Sequence, residues 1–324
     1  MRRGRRLALV AALAALIAGF GALPASAQTD TTTWAVRPAP TADEPARDAF
    51  RFDLSPGAVI HDAFRVRLQS QSPTAFDVYA TDAVLLANGT LDLLPRTRTA
   101  RDIGSWVTVD TPHITLAGGE SVDVPFTIAV PANASPGDHV GGIVASLSTP
   151  GSDGSTVVID RRIGSRIYAR VSGATRSALT ITKLRSTFEG GRITPGRVRT
   201  SFVVTNTGNV RVHAQALTTV TGLFSRAHAP VKVVPELLPG SSLRVETVTG
   251  SVKPTGRLKV RVRLVERAAA RGEEPAVTFL GSEATTHVSA WPVPWLIGLT
   301  LVVLLGAGLR VARRRPSNTN AAVA

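Results

Sequence analysis

Three side chains within residues 163–171 have the types and the spacing of a shallow binding site. Arg166, Tyr168 and Arg170 stand at every second position, and apolar residues such as Ile167 stand between them. In a β-strand this spacing places both guanidinium groups and the phenol on one face. Guanidinium groups pair with carboxylates and other anions, so the sequence predicts a binding face for an anionic glycan or a partner's carboxylates. The alternative is a solvated face whose arginine stems cover apolar surface.

A second basic stripe lies nearer the C-terminus. Arg257, Lys259, Arg261 and Arg263 alternate with apolar residues, which again predicts a strand with one charged face. Two interpretations are open at this point. The stripe is either a further anion-binding face or a charged strand that deters edge-to-edge pairing with other chains.

Signatures of catalysis and of cofactor binding are missing from the sequence. There is no cysteine, no nucleophile elbow, no zinc-binding helix motif and no phosphate-binding glycine loop. The six histidines are scattered, and none is paired at metal-ligand spacing. A metal site built in space from His113, His139 and an aspartate stays an alternative, as does a carboxylate pair for glycan cleavage. We therefore expect a non-enzymatic protein with no catalytic residue, no metal and no cofactor.

The pattern of apolar residues predicts an all-β chain. Apolar and polar residues alternate over 50–54, 64–68 and 122–130, which places one face of each strand in a core. Turn residues such as those at 55–57 and 88–89 separate these segments. Short, regularly punctuated strands of this kind are typical of tandem immunoglobulin-like β-sandwich domains.

Two apolar segments flank the β-rich part. Residues 1–27 have an arginine-rich start, an apolar middle and small residues at 25–27, which predicts a cleaved signal peptide rather than an uncleaved anchor. Residues 291–309 carry no charge, and as a helix they would be about 28 Å long, close to the thickness of a bilayer core. Four arginines follow. This predicts a transmembrane helix with a cytoplasmic tail, against the alternative of a buried core helix.

The charge of the central part is modest. The chain carries a formal net charge of +14, but eight arginines lie in the two terminal segments, which leaves +6 for the remainder. A weakly positive surface favours anionic partners, or serves solubility alone. Nucleic acid is excluded as a partner because we expect the protein to be exported.

These observations divide the chain into seven predicted segments. They are a signal peptide (1–27), an extended segment (28–44), a first immunoglobulin-like sandwich (45–173, with its sequence motif starting near 32), a second β-sandwich (176–268), a membrane-proximal segment (269–290), a transmembrane helix (291–309) and a basic cytoplasmic tail (310–324).

The first sandwich resembles a known family in several of its short segments. These are 34–38, 50–57, 76–83, 104–107, 118–122, 130–132, 136–144 and 162–168. Their order resembles the peptidoglycan-binding domain of WxL-interacting proteins, which are Gram-positive surface proteins. One departure is the stretch 66–70, which lacks the pattern that such domains usually show. The resemblance implies a cell-surface protein that binds peptidoglycan and WxL-type partners.

The sequence thus predicts a single-pass cell-membrane protein whose extracellular part binds peptidoglycan or another anionic wall polymer. A WxL-type or other exported surface protein is the second expected partner. Arg166, Tyr168 and Arg170 are the expected contacts. The first alternative is a scaffold subunit of a surface complex that acts through protein–protein contacts only. The second is a hydrolase, or an accessory domain, that acts on wall glycan.

Overall fold

The fold consists of two immunoglobulin-like β-sandwiches in tandem. A computed structural model of the chain describes residues 32–150, 158–191, 194–223, 225–266, 279–291 and 293–313. Four sheets account for nearly all of the regular structure, two in each sandwich. This confirms the prediction of an all-β chain with tandem immunoglobulin-like domains. The predicted signal peptide, residues 1–27, lies outside the described residues.

The first sandwich pairs a four-stranded sheet of order β1-β3-β8-β6 with a second sheet of order β2-β10-β9-β4-β5, in which β7 also pairs with β4. Its elements are β1 (Trp34–Pro38), β2 (Phe50–Leu54), β3 (Val59–Leu68), β4 (Thr74–Leu85), β5 (Leu91–Leu93), a short helix α1 (Ile103–Trp106), β6 (Val107–Val109), β7 (His113–Leu116), β8 (Ser121–Ala129), β9 (Gly137–Pro150) and β10 (Val158–Val171).

Strict alternation builds the core of this sandwich. In β8, Val124, Phe126 and Ile128 are buried while their neighbours face outward, as expected for a strand with one face in a core. The ring of Phe126 meets the ring of Phe50 edge-on, with 5.0 Å between centroids, so the two sheets are joined by aromatic contact. The last strand, β10, carries the candidate site.

The second sandwich pairs a sheet of order β16-β12-β11-β18 with a sheet of order β14-β13-β17-β19, in which β15 also pairs with β13. Its strands are β11 (Ser177–Glu189), β12 (Gly196–Asn206), β13 (Val212–Gly222), β14 (Ser225–His228), β15 (Lys232–Leu237), β16 (Ser242–Val252), β17 (Gly256–Glu266), β18 (Phe279–Leu280) and β19 (Glu283–Ala290).

A final helix, α2 (Val293–Arg313), follows β19. Apolar side chains on it, including Leu299, Val302 and Leu305, are exposed. Among the described residues, however, no helix meets the length and the hydropathy required to cross a membrane. This finding contradicts the predicted transmembrane helix at 291–309. Most of the predicted basic tail, residues 314–324, lies outside the described residues.

Candidate functional site

The long hairpin formed by β9 and β10 leaves part of one strand edge open. β10 pairs with β9 along its whole length, from Val158 to Val171. On its other side, it pairs in parallel with β2, but only over Ile167 to Val171. No other strand of the described part of the chain pairs with β10. We call the remaining stretch, from Val158 to Arg166, the open edge.

Apolar side chains are exposed along the open edge. The exposed fractions are 64% for Val158, 50% for Ile159 and 38% for Ile163. Ile159 and Ile163 share the period-two register of Ile167, which is fully buried in the core of the first sandwich. The core-facing row of the strand therefore continues past the end of the packed core. Unpaired backbone groups next to exposed apolar side chains form a template for adding another strand.

One side chain fixes the position of this edge relative to β1. The guanidinium of Arg161 lies over the ring of Trp34, 5.4 Å from its centroid, and donates a 3.1 Å hydrogen bond to the carbonyl oxygen of Thr32. Trp34 in turn packs on Phe76, with 5.3 Å between ring centroids. The open edge is thus tied through Arg161 to the start of β1 and to the core.

The three predicted binding residues lie on the opposite face of β10, and the structure gives them different environments. Arg166 is exposed, and its Nη1 atom lies 3.3 Å from the hydroxyl of Tyr168. Tyr168 is buried, and Arg170 is half-buried against Asp138. Only Arg166 therefore presents its charge to solvent. The role of the three residues in binding stays a prediction.

Tyr168 and Arg170 instead help to form the junction between the two sandwiches. Arg170 donates from Nε and Nη2 to the two carboxylate oxygens of Asp138, at 2.6 and 2.9 Å. The same carboxylate accepts a 2.7 Å hydrogen bond from the backbone N–H of Arg211, in the second sandwich. The side chain of Asp138 is only 2% exposed. A buried carboxylate shared by two arginines thus joins the domains.

Further contacts surround this carboxylate. The Arg211 guanidinium lies 4.2 Å from the centroid of the Tyr168 ring and donates to Glu236 at 2.8 Å. Tyr168 also packs in a small apolar cluster with Leu238 of the second sandwich. Sequence reasoning missed Asp138 and Arg211 as partners, because 73 residues separate them and no local pattern links them.

Backbone contacts close the same junction. The N–H of Asp138 donates to the carbonyl oxygen of Asn209 at 2.8 Å, and the Asn209 side chain donates to the carbonyl oxygens of Pro136 and Ala174, each at 2.8 Å. Gly137 has a φ of +123° and lies so close to the Asn209 backbone that a Cβ atom there would overlap it. The junction therefore requires glycine at this position.

The histidines that the sequence left open as metal ligands have other partners. His113 lies 2.6 Å from Asp77, and His139 lies 2.6 Å from Asp102, so the two rings are in separate pairs. Within the described ranges, no three His, Cys, Asp or Glu side chains come together as a metal site.

His139 is held as a hydrogen-bond donor at both ring nitrogens. Nδ1 faces the Asp102 carboxylate, and Nε2 lies 2.9 Å from the carbonyl oxygen of Ser135. Both partners only accept, and only the protonated ring donates from both nitrogens. Burial by itself lowers the pKa of His139, but these hydrogen bonds outweigh it, and the pKa lies above its ordinary value. The ring of Trp106 packs on the imidazole, at 4.6 Å between centroids.

Comparison with known proteins gives matches to structures alone. No family model matches the chain, and no curated protein matches it. The solved structure of the class 5 fimbriae chaperone CfaA matches at 12% identity, over 78% of this chain and 99% of that one, with a TM-score of 0.36. The E. coli chaperone DraB matches at 12% identity, over 80% of this chain and 98% of that one, with a TM-score of 0.32. At these scores the matches carry no argument about function.

These findings overturn the expectation drawn from the family resemblance. No family model matches the chain, so membership of the WxL-interacting proteins has no support beyond those short segments. That membership is therefore wrong, and so are the peptidoglycan or wall-polymer binding and the WxL-type partner that it implied. The membrane-anchored cell-surface location is also wrong, because no helix among the described residues meets the length and the hydropathy required to cross a membrane. The segments that carried the resemblance are strands and turns, apart from 104–107, which lies mainly on the short helix α1. Unrelated sandwiches share such strands and turns.

Proposed function

We propose that this chain is a non-enzymatic protein-binding scaffold, which receives an extended segment of a partner protein as an added strand along the open edge. The observation that carries the proposal is that, at Val158–Arg166, a strand edge without a pairing partner among the described residues coincides with three exposed apolar side chains. In strand addition, the backbone hydrogen bonds supply affinity, and alternate side chains supply specificity.

Three features of the open edge support this mode of binding. β10 is held along its other side by fourteen residue pairs with β9, so the edge is a preformed template. Ile159 and Ile163 would be covered by an added strand and leave water. Arg161 stands between Ile159 and Ile163 on the same face of β10 and is already engaged with Trp34 and Thr32, so it is a fixed polar group within the site.

A panel of synthetic ten-residue peptides that alternate Val, Ile or Phe with Thr tests the proposal on the full chain. We expect saturable binding by fluorescence anisotropy. The double variant Ile159→Lys/Ile163→Lys should bind at least about ten-fold more weakly, since about 1 kcal/mol of apolar burial is lost at each half-exposed site. N-methylation of alternate peptide amides should have a similar effect, because it removes donors to the edge.

The matched control is Val231→Lys/Val233→Lys, which places two lysines at exposed apolar positions of the second sandwich, where the exposed fractions are 54% and 46%. This variant should bind the peptides as the unaltered chain does. Equal loss in both variants, or no binding by any peptide at 1 mM, would contradict strand addition at the open edge.

A further inference from the structure

The outer face of the second sandwich carries a group of cations on a central strand. Lys259, Arg261 and Arg263 are exposed on β17, and the residues between them are buried. β17 pairs with β13 on one side and with β19 on the other. Charges that deter edge-to-edge pairing belong on edge strands, so that interpretation of the stripe fails here.

A groove runs across this face. It has a volume of about 680 Å³, and Arg226 of β14 and the hydroxyl-bearing Thr219 and Thr221 of β13 also line it. We call the cations Arg226, Lys259, Arg261 and Arg263 the basic face. The register aligns Lys259 with Thr221 and Thr221 with Arg226 across three neighbouring strands. Cationic and hydroxyl donors are therefore interleaved on one rigid surface.

Within the part of the chain that the structure describes, the positive charge of the basic face is poorly compensated. Among the described residues, Glu283 is the only acidic side chain that lines the groove, and it lies 3.1 Å from Nε of Arg261. Like charges on neighbouring positions of one sheet face destabilise a fold. A surface with several neighbouring cations is suited to bind an anionic ligand, and the Arg261–Glu283 pair shows that a carboxylate fits there.

The spacing of the cations indicates the shape of the ligand. Successive cations on β17 are two residues apart, which corresponds to about 6.8 Å along a strand. An extended peptide places its alternate side chains at the same interval. The described lining residues include no Trp, Tyr or Phe ring, and the one ring among them is the imidazole of His228, whose Nδ1 lies 3.2 Å from the hydroxyl of Thr219. The groove therefore lacks the succession of aromatic platforms that is usual for single-stranded nucleic acid.

Because the interval between the cations equals the interval between alternate side chains of an extended peptide, we infer that the basic face binds an extended acidic segment of a partner protein, with a carboxylate at every second residue. The site is separate from the open edge and does not depend on it. A partner with both an apolar strand and an acidic segment would engage the two sandwiches at once, and its overall affinity would exceed that of either contact.

Two synthetic peptides of equal composition test this inference on the full chain: one alternates five Glu with five Thr, and the other carries five Glu followed by five Thr. We expect the alternating peptide to bind more tightly, and binding to weaken as salt is added. Lys259→Gln/Arg263→Gln should reduce its affinity about ten-fold. Glu283→Gln should increase it several-fold, because Arg261 is then released for the ligand.

The charge-matched control is Arg197→Gln/Arg244→Gln, which removes two exposed arginines from the other sheet of the second sandwich. It should change the affinity less than two-fold, as should Ile159→Lys/Ile163→Lys in the open edge. Thermal unfolding checks that each variant is folded. Equal binding of the two peptides, tighter binding of polyphosphate or oligo-dT, or equal loss in the control would overturn the inference.

Discussion

Replacing Asp138 by Ala should separate the two sandwiches and lower the stability of the whole chain. The substitution removes a carboxylate that is 2% exposed and leaves Arg170 and Arg211 without it, at side-chain exposures of 24% and 12%. Removing one partner of a buried ion pair costs about 3–5 kcal/mol. Because Arg211 keeps Glu236 at 2.8 Å, we expect the lower end of that range, about 3 kcal/mol.

Calorimetry of the full chain measures this effect. A loss of about 3 kcal/mol corresponds to a fall in Tm of roughly 6–12 °C for domains of this size. The matched control is Asp123→Ala, which also removes a two-pronged contact to one arginine, Arg65, but on the surface, where the exposed fractions are 30% and 40%. Such a pair contributes less than about 1 kcal/mol. Equal losses in the two variants would refute the assignment of Asp138 to a buried junction.

A second assay reports the geometry of the junction directly. The chain has no cysteine, so Thr108→Cys and Thr285→Cys, on exposed positions of β6 and β19, introduce the only two attachment sites for spin labels. We expect a narrow distance distribution in this background and a broad one when Asp138→Ala is added. A distribution that stays narrow would show that Asp138 does not hold the two domains in place.

Two further predictions concern the same region. The folded-state pKa of His139 is raised above its unfolded value near 6.5, so its contribution to stability is complete below that pH and is lost as the pH rises through the folded pKa. Urea unfolding should therefore show a lower free energy of unfolding at pH 8.5 than at pH 6, and the difference should be smaller in Asp102→Asn. Higher stability at pH 8.5 would contradict this prediction. Gly137→Ala should lower the free energy of unfolding by about 3 kcal/mol or more, because the φ of +123° is strained for alanine and its Cβ would meet Asn209. The control Gly57→Ala, at a φ of +80° with no atom nearby, should lower it by about 1 kcal/mol. Similar losses at both positions would show that the overlap with Asn209 is relieved at little cost.

Alternation made individual strands predictable from the sequence. The apolar positions of 122–130 predicted the strand that the structure places at Ser121–Ala129, with Phe126 in the core. In both sandwiches the same regularity indicated which face of a strand is buried. This information is local, because a period of two follows from backbone geometry alone.

Contacts between the domains were not predictable in the same way. Alternation placed Tyr168 correctly on the face opposite Ile167, but that face is covered by Leu238 and by Arg211 of the second sandwich. The pattern of one strand carries no information about a domain that packs on its outer face. For the same reason, the open edge is visible only once the parallel pairing of β2 with Ile167–Val171 shows where β10 loses its partner.

The family assignment failed because of the kind of sequence features on which it rested. Segments such as 50–57 and 136–144 combine a short alternating strand with Pro and Gly turn residues, and these features follow from the sandwich fold itself. Asp138 and Ile163 lie within the segments that carried the resemblance, 136–144 and 162–168, but there they counted only as parts of local strand and turn patterns. Their places in the domain junction and in the open edge follow from long-range contacts, which those patterns do not contain.

Hydrogen exchange of the full chain, with and without a bound alternating apolar peptide, tests strand addition most directly. An added strand accepts hydrogen bonds from every second backbone N–H of the edge that it covers. We predict slower exchange of alternate amides between Val158 and Arg166 when the peptide is bound, and unchanged exchange in Ile167–Val171, where β2 already pairs with β10. Binding without new protection in the open edge would contradict the account.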